Sequence, residues 1–179
     1  MPMQHDMDQF LVELFRDTAP QYFYLWTLAN KRSYWFTENS LDDYFAAATT
    51  GQIGDRDVYV GVALAAKAGP STERVTSSSA SGLIGLWADI DYLDPLHAKP
   101  NLPKDADHAL RIMEEFPLQP TLVVQSGHGF HCWWLFQEPW IFQDDEERQA
   151  GAMLARRWHH SIRRVLTNHG CAMDSTFDL

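Results

Sequence analysis

Residues 83–91, LIGLWADID, constrain this chain more than any other segment. Side chains on a strand alternate between its two faces, so Ile84, Leu86, Ala88 and Ile90 point one way and Trp87, Asp89 and Asp91 the other. The aliphatic side calls for helices to cover it. The other side ends in two carboxylates that share a face, and a strand of buried aliphatics rarely ends this way without something for them to hold.

The segments that follow supply the helices. A helix is predicted over 104–116, with Ala106, Ala109, Leu110 and Met113 as its stripe. Strands are predicted near 120–126 and 130–136, joined by a Gly-containing turn. A long helix over 144–168 has Leu154, Trp158, Ile162, Val165 and Leu166 on its inner side and stops at Gly170. A last strand is expected from Cys171. The order βαββαβ is that of the ferredoxin-like or RRM-like unit, an α+β arrangement with spatial strand order 4-1-3-2.

Ahead of this core, residues 1–67 read as an α/β module. It has a helix near 8–17, an aromatic strand pair near 22–29 and 32–37, and a helix over 41–50 capped by Asn39 or Ser40. A strand near 57–65 completes it. Residues 68–82, AGPSTERVTSSSASG, are small and Ser-rich and read as a mobile loop. The module, the loop and the core at 83–179 are expected to pack as a single domain.

With 179 residues, 45% of them hydrophobic, the chain is long enough for one real core. It has no hydrophobic run of membrane-spanning length and no N-terminal signal segment, and a cytoplasmic setting is expected. Two cysteines exclude a disulfide framework and a four-thiolate zinc site. His159, His160, His169 and Cys171 match no standard zinc spacing. A net charge of −10 argues against binding nucleic acid by bulk electrostatics. Carboxylates that hold cations belong to that count.

Three segments can carry chemistry. Asp89 and Asp91, two apart on a strand, can share one or two divalent cations of the kind hard oxygen ligands suit. In Ser126-Gly127-His128-Gly129-Phe130-His131 the glycines let a ligand approach the backbone, whose amides can bind phosphate, while Ser126 and the histidines add side-chain donors. Asp174, alone, reads most simply as a cap or turn residue. Topology unites them: strand one ends at the edge where strands three and four begin, which brings Asp89, Asp91, His131 and Asp174 together. Such a site suits metal-assisted phosphoryl transfer, with two cations clamped by the carboxylates and the triphosphate held by His131 and the turn amides.

These residues resemble the archaeo-eukaryotic primase superfamily, nearest the primase-polymerases of phages, plasmids and other mobile elements. The family's first motif is an hhhDhD strand end, here Leu86-Trp87-Ala88-Asp89-Ile90-Asp91. Its second is a Ser-Gly turn leading to a His in an aromatic strand, here SGHGFHCWW with Ser126 and His131 in the motif positions. Its third is an acidic residue, here Asp174. The similarity covers about residues 57–179. It implies an RRM-like catalytic core, Mg²⁺ or Mn²⁺, NTP or dNTP substrates, and a single-stranded DNA template with a primer. It implies Asp89, Asp91 and Asp174 as metal ligands and catalytic residues. It implies Ser126, Gly127, His128, Gly129 and His131 as the nucleotide-binding segment. His128 stands where some relatives carry Arg or Lys. Relatives continue past the position of Leu179 with an Arg-containing stretch and often a helicase domain, so the chain is expected to be a fragment.

Other classes fit less well. A relaxase-type nicking enzyme needs two histidines flanking one apolar residue and a tyrosine on the next helix. Here two residues separate His128 from His131, and 144–168 has no Tyr. A nucleotide cyclase would use the paired aspartates but would not need the SGHGFH turn. A non-catalytic replication initiator or RNA-binding module would show exposed aromatics and basic residues on its sheet. Arg156, Arg157, His159, His160, Arg163 and Arg164 on the last helix read either as a template-binding patch or, more simply, as a solvated face.

Overall fold

The structure, a computed structural model, describes residues 2–49, 58–93 and 101–173. It is a mixed α+β protein with two antiparallel sheets and four α-helices among the described residues. The chain divides into two compact units, one built from residues 1–84 and 137–151, the other from 85–136 and 152–178. No helix among the described residues is long and apolar enough to cross a membrane.

The first unit opens with α1 (Pro2–Phe15), longer at its start than the periodicity over 8–17 suggests. Its residues Leu11, Leu14 and Phe15 are buried, and the unit's sheet has the order β2-β1-β3. The strands are β1 (Tyr22–Thr27), β2 (Arg32–Thr37) and β3 (Val58–Val60). Phe15 stacks on Phe23 with ring centroids 3.9 Å apart. Buried aromatics of this kind contribute about 1.5–3 kcal/mol each by burial alone. The helix predicted over 41–50 is α2 (Leu41–Thr49). Neither Asn39 nor Ser40 caps it directly: both lie in a 3₁₀ turn (Glu38–Ser40) that runs into it. There the Ser40 hydroxyl accepts from the Thr37 amide at 2.9 Å.

One expectation for this unit needs correction. Of the single strand expected near 57–65, Asp57 lies outside the described residues and the rest is two pieces. β3 pairs with β1, whereas β4 (Ala63–Leu64) pairs with the start of β5 (Gly82–Asp91) in the other sheet. The break falls at Gly61, whose amide donates to the Tyr24 carbonyl and whose Cα lies so close to the Tyr24 ring that a Cβ would clash. The Ser-rich stretch 68–82 makes contacts that its composition does not announce. The Ser33 hydroxyl donates to Glu73 O at 2.6 Å and the Trp35 indole to Pro70 O at 3.3 Å. Arg74 lies over the Trp26 ring at 4.8 Å, Arg148 donates to Ser77 O, and Val75 is buried. Composition reported polarity there and could not report partners 40 and more residues away.

β5 continues to Asp91 and is followed by α3 (Ala106–Met113), β6 (Leu122–Gln125), β7 (Gly129–Ile141) and α4 (Asp145–Asn168), of which the second unit holds all but the end of β7 from Gln137 and the start of α4 up to Gly151. The sheet has the order β4-β5-β7-β6, which contains the neighbour relations expected of core strands one, three and two. The last expected strand is not seen at 171–173, which are irregular, and its remainder lies outside the described residues. Gly85 faces Trp134 and Leu135, and Gly129 faces Ile90 and Asp91, so β5 and β7 run antiparallel.

The helices of this unit are rotated from the predicted phase. In α3, Asp105 caps the start by accepting from the His108 amide at 2.7 Å, and the buried stripe is Ala109, Ile112 and Met113, with Leu110 exposed. In α4 the inner stripe is Ala155, His159, Ile162 and Leu166, with Trp158 and Val165 at its margin and Leu154 exposed. Burial pushes the His159 pKa below the ordinary value, helped by Arg163 and His160, so its inward ring is held neutral. The Cys132 thiol lies 3.9 Å from Met113 Sδ, and Trp134 meets Trp158 edge-on at 4.8 Å, donating its indole N–H to Leu118 O. One side of β7 therefore forms core with both helices.

Candidate active site

The other side of the β5–β7 pair carries the site, all of it within the second unit. Trp87, Asp89 and Asp91 alternate with buried Ala88 and Ile90. Across from them stand Trp133, His131 and Gly129. The matches are direct: Trp87 and Trp133 have ring centroids 6.4 Å apart, and His131 Nε2 lies 3.7 Å from Asp89 Oδ1. A Cβ on Gly129 would stand 2.8 Å from Asp91 Oδ1 and 2.8 Å from Ile90 O. The pairing brings the expected residues Asp89, Asp91, Gly129 and His131 together.

Asp89 is partly buried, with 28% of its side chain exposed against 44% for His131. Its Oδ1, the oxygen facing His131, is shielded from solvent. A shielded carboxylate oxygen is costly unless a cation or donor attends it, and His131 is placed to do so. At 3.7 Å the contact is within ion-pair reach and beyond a good hydrogen bond. Asp89 also reaches through the sheet. Burial, with the Asp89 charge added, pushes the Cys132 thiol up to about 12, so Cys132 is a packed, protonated thiol rather than a nucleophile.

The turn holding the second motif is a tight hairpin. Gln125 pairs with Phe130, and the Ser126 amide donates to Gly129 O at 3.0 Å. Gly127 sits at φ +100, a conformation glycine adopts without strain. Ser126, Gly127 and His128 are exposed and Gly129 is buried. The Ser126 amide is occupied in closing the turn, which removes it from the amides expected to hold phosphate. The Gly127 amide has no hydrogen-bond partner among the described residues.

Tyr92, which the motif reading passed over, belongs to this site. Its amide donates to His128 O at 3.2 Å and its hydroxyl to Gly127 O at 3.1 Å, while its ring meets Phe130 at 5.9 Å. It fastens the end of the aspartate strand to the glycine turn. Its position directly after Asp91 was the available signal.

Asp174 lies outside the described residues. Among those described, no group of three or more His, Cys, Asp or Glu side chains has the arrangement of a metal centre. Asp89 and Asp91 fit a hard divalent cation in donor type, in sharing one face, and in the shielding of Asp89 Oδ1. Comparison with protein-family models, with curated proteins and with solved structures found no match.

Proposed function

We propose that this chain is the catalytic domain of a DNA primase-polymerase, joining nucleoside triphosphates on a single-stranded template. The observation that carries the reading is the alignment of Asp89 and Asp91 with His131 and Gly129 across one antiparallel strand pair. Two acidic side chains, an imidazole and the end of a backbone turn thereby share one face of the strand pair. The finer fold proposed with it is the RRM-like βαββαβ core, of which β5, α3, β6, β7 and α4 are the first five elements.

Asp89 and Asp91 would hold Mg²⁺ or Mn²⁺, with Asp174 as the further ligand. When bound, the cations lower the cost of charge developing on the attacking 3′-oxygen and on the departing pyrophosphate. The chain's own residues do the rest. His131 donates to a phosphate oxygen and, by its approach to Asp89, keeps that carboxylate turned towards β7. The Gly127 amide and the Ser126 hydroxyl offer further donors at the turn. Tyr92 keeps the turn in register with the carboxylates, which matters because small misplacements of reacting groups cost rate steeply.

The test is incubation with labelled NTPs or dNTPs, Mn²⁺ and a primed or unprimed single-stranded template. Products longer than the primer, or de novo oligomers, that vanish in Asp89→Asn and Asp91→Asn support the assignment. Absence of any incorporation, together with no binding of Mn²⁺ or triphosphate, refutes it.

A further inference from the structure

The net charge of −10 is unevenly distributed. From Arg148 to Asn168 the chain carries five arginines and neither Asp nor Glu, so over a third of its 14 cations fall on part of one helix. The phase of α4 decides where they point. Ala155, His159, Ile162 and Leu166 turn inward, which leaves Arg156, Arg157, His160, Arg163 and Arg164 exposed along one side. Among the described residues none of these four arginines forms an ion pair, although Arg16, Lys104 and Arg148 each do.

The helix dipole does not account for this stripe. It favours cations only within the last turn, and Arg156 and Arg157 stand about three turns before the end of α4 at Asn168. A membrane surface does not suit it either, because an interfacial helix buries its apolar side in lipid, and here that side is spent on the core. Arginine in place of lysine at all four positions favours planar, forked recognition of phosphate. From Arg156 to Arg163 the helix advances about 10 Å at ~1.5 Å per residue. Met153, 50% exposed, and Leu154, 38% exposed, lie one turn before the first arginines. Apolar side chains beside a phosphate track suit unpaired bases, whose faces a duplex would hide.

We infer that the exposed face of α4 binds the sugar-phosphate backbone of a single nucleic-acid strand through Arg156, Arg157, Arg163 and Arg164. The phosphate chemistry stands on the helix alone, and the role of that strand as template rests on the proposed polymerase. Binding of a dye-labelled oligothymidylate, followed by anisotropy across a salt series in chelator, tests it without metal or turnover. Each phosphate contact to a single strand contributes about −0.7 to the slope of log affinity against log salt. The R156Q/R163Q protein should lose about 1.4 units of that slope, with unchanged circular dichroism because Gln matches Arg in helix propensity. R156K/R163K should restore most of the slope, and R16Q, just past the end of α1, should leave it as in the unsubstituted chain. An unchanged slope in R156Q/R163Q overturns the site. Competition by duplex DNA or by anionic phospholipid vesicles, equal per phosphate to that of the strand, overturns the choice of partner. Arginine-dependent binding in a protein that incorporates no nucleotide would leave this site standing and the polymerase reading refuted. Incorporation with an unchanged slope would do the reverse.

Discussion

His131 Nε2 lies 3.7 Å from Asp89 Oδ1 across the β5–β7 pairing. The approach makes the histidine and the first aspartate one unit. His131→Ala should weaken triphosphate binding much more than nucleoside binding, by about tenfold or more for a charge-assisted contact of ~1.5–3 kcal/mol. Calorimetry with the two ligands reads the difference. Equal loss for both would assign His131 to packing.

Asp89→Asn and Asp91→Asn should each abolish incorporation while keeping the fold. Removing one of two like charges on the same face relieves repulsion when no cation is bound. The check pairs a primer-extension assay with a thermal melt. Full activity in both variants would remove the aspartates from the chemistry.

Gly129→Ala should cost activity without touching a reacting group. The new methyl would stand 2.8 Å from Asp91 Oδ1 and Ile90 O, so either the carboxylate or the strand must give way. A shift of about 1 Å can cost roughly a hundredfold in rate. Single-turnover extension at saturating Mn²⁺ measures it, and an unchanged rate would show that Asp91 need not lie against β7.

Cys132 supplies a pH signature. Its thiol titrates at about 12 in the folded chain against the ordinary 9.0. The folded state therefore holds this proton more tightly than the unfolded one. That stability is fully present below pH 9 and is lost as pH rises towards 12. Denaturant midpoints should fall more between pH 8 and pH 10.5 in the unsubstituted chain than in Cys132→Val. Iodoacetamide should label Cys132 only after unfolding, read by mass spectrometry. Rapid native labelling would contradict its burial.

Ser33→Ala tests the fastening of the Ser-rich stretch. The 2.6 Å bond from its hydroxyl to Glu73 O is part-buried, so its loss should cost about 1 kcal/mol. Limited proteolysis should cut within 68–82 faster in the variant. Identical cleavage rates would mean that Arg74 on Trp26 and the Trp35–Pro70 bond suffice.

What could be read from sequence followed from local periodicity. The alternation in 83–91 put Asp89 and Asp91 on the face where they are found, because period two leaves no other solution for a strand with Ala88 and Ile90 buried. Helix phase was less secure. Leu110 and Leu154 are hydrophobic yet exposed, and α4 turns His159 inward, because the core is chosen by what faces the helix as well as by hydropathy. Gly61 looked like one residue within a strand and proved to be the point where the chain leaves one sheet for the other, against a Tyr24 ring that leaves no room for a Cβ. Tyr92 escaped because its partners are backbone carbonyls of a turn 35 residues on, which leave no trace in residue type.

Tyr92 has one more effect. A peptide unit is planar and trans, so fixing its C=O aims its N–H the opposite way. With Gly127 O and His128 O both drawn to Tyr92, the N–H vectors of His128 and Gly129 are directed away from that tyrosine. The turn thus acquires polarity: its carbonyl side is bound to the tyrosine, and its amide side is turned away from it.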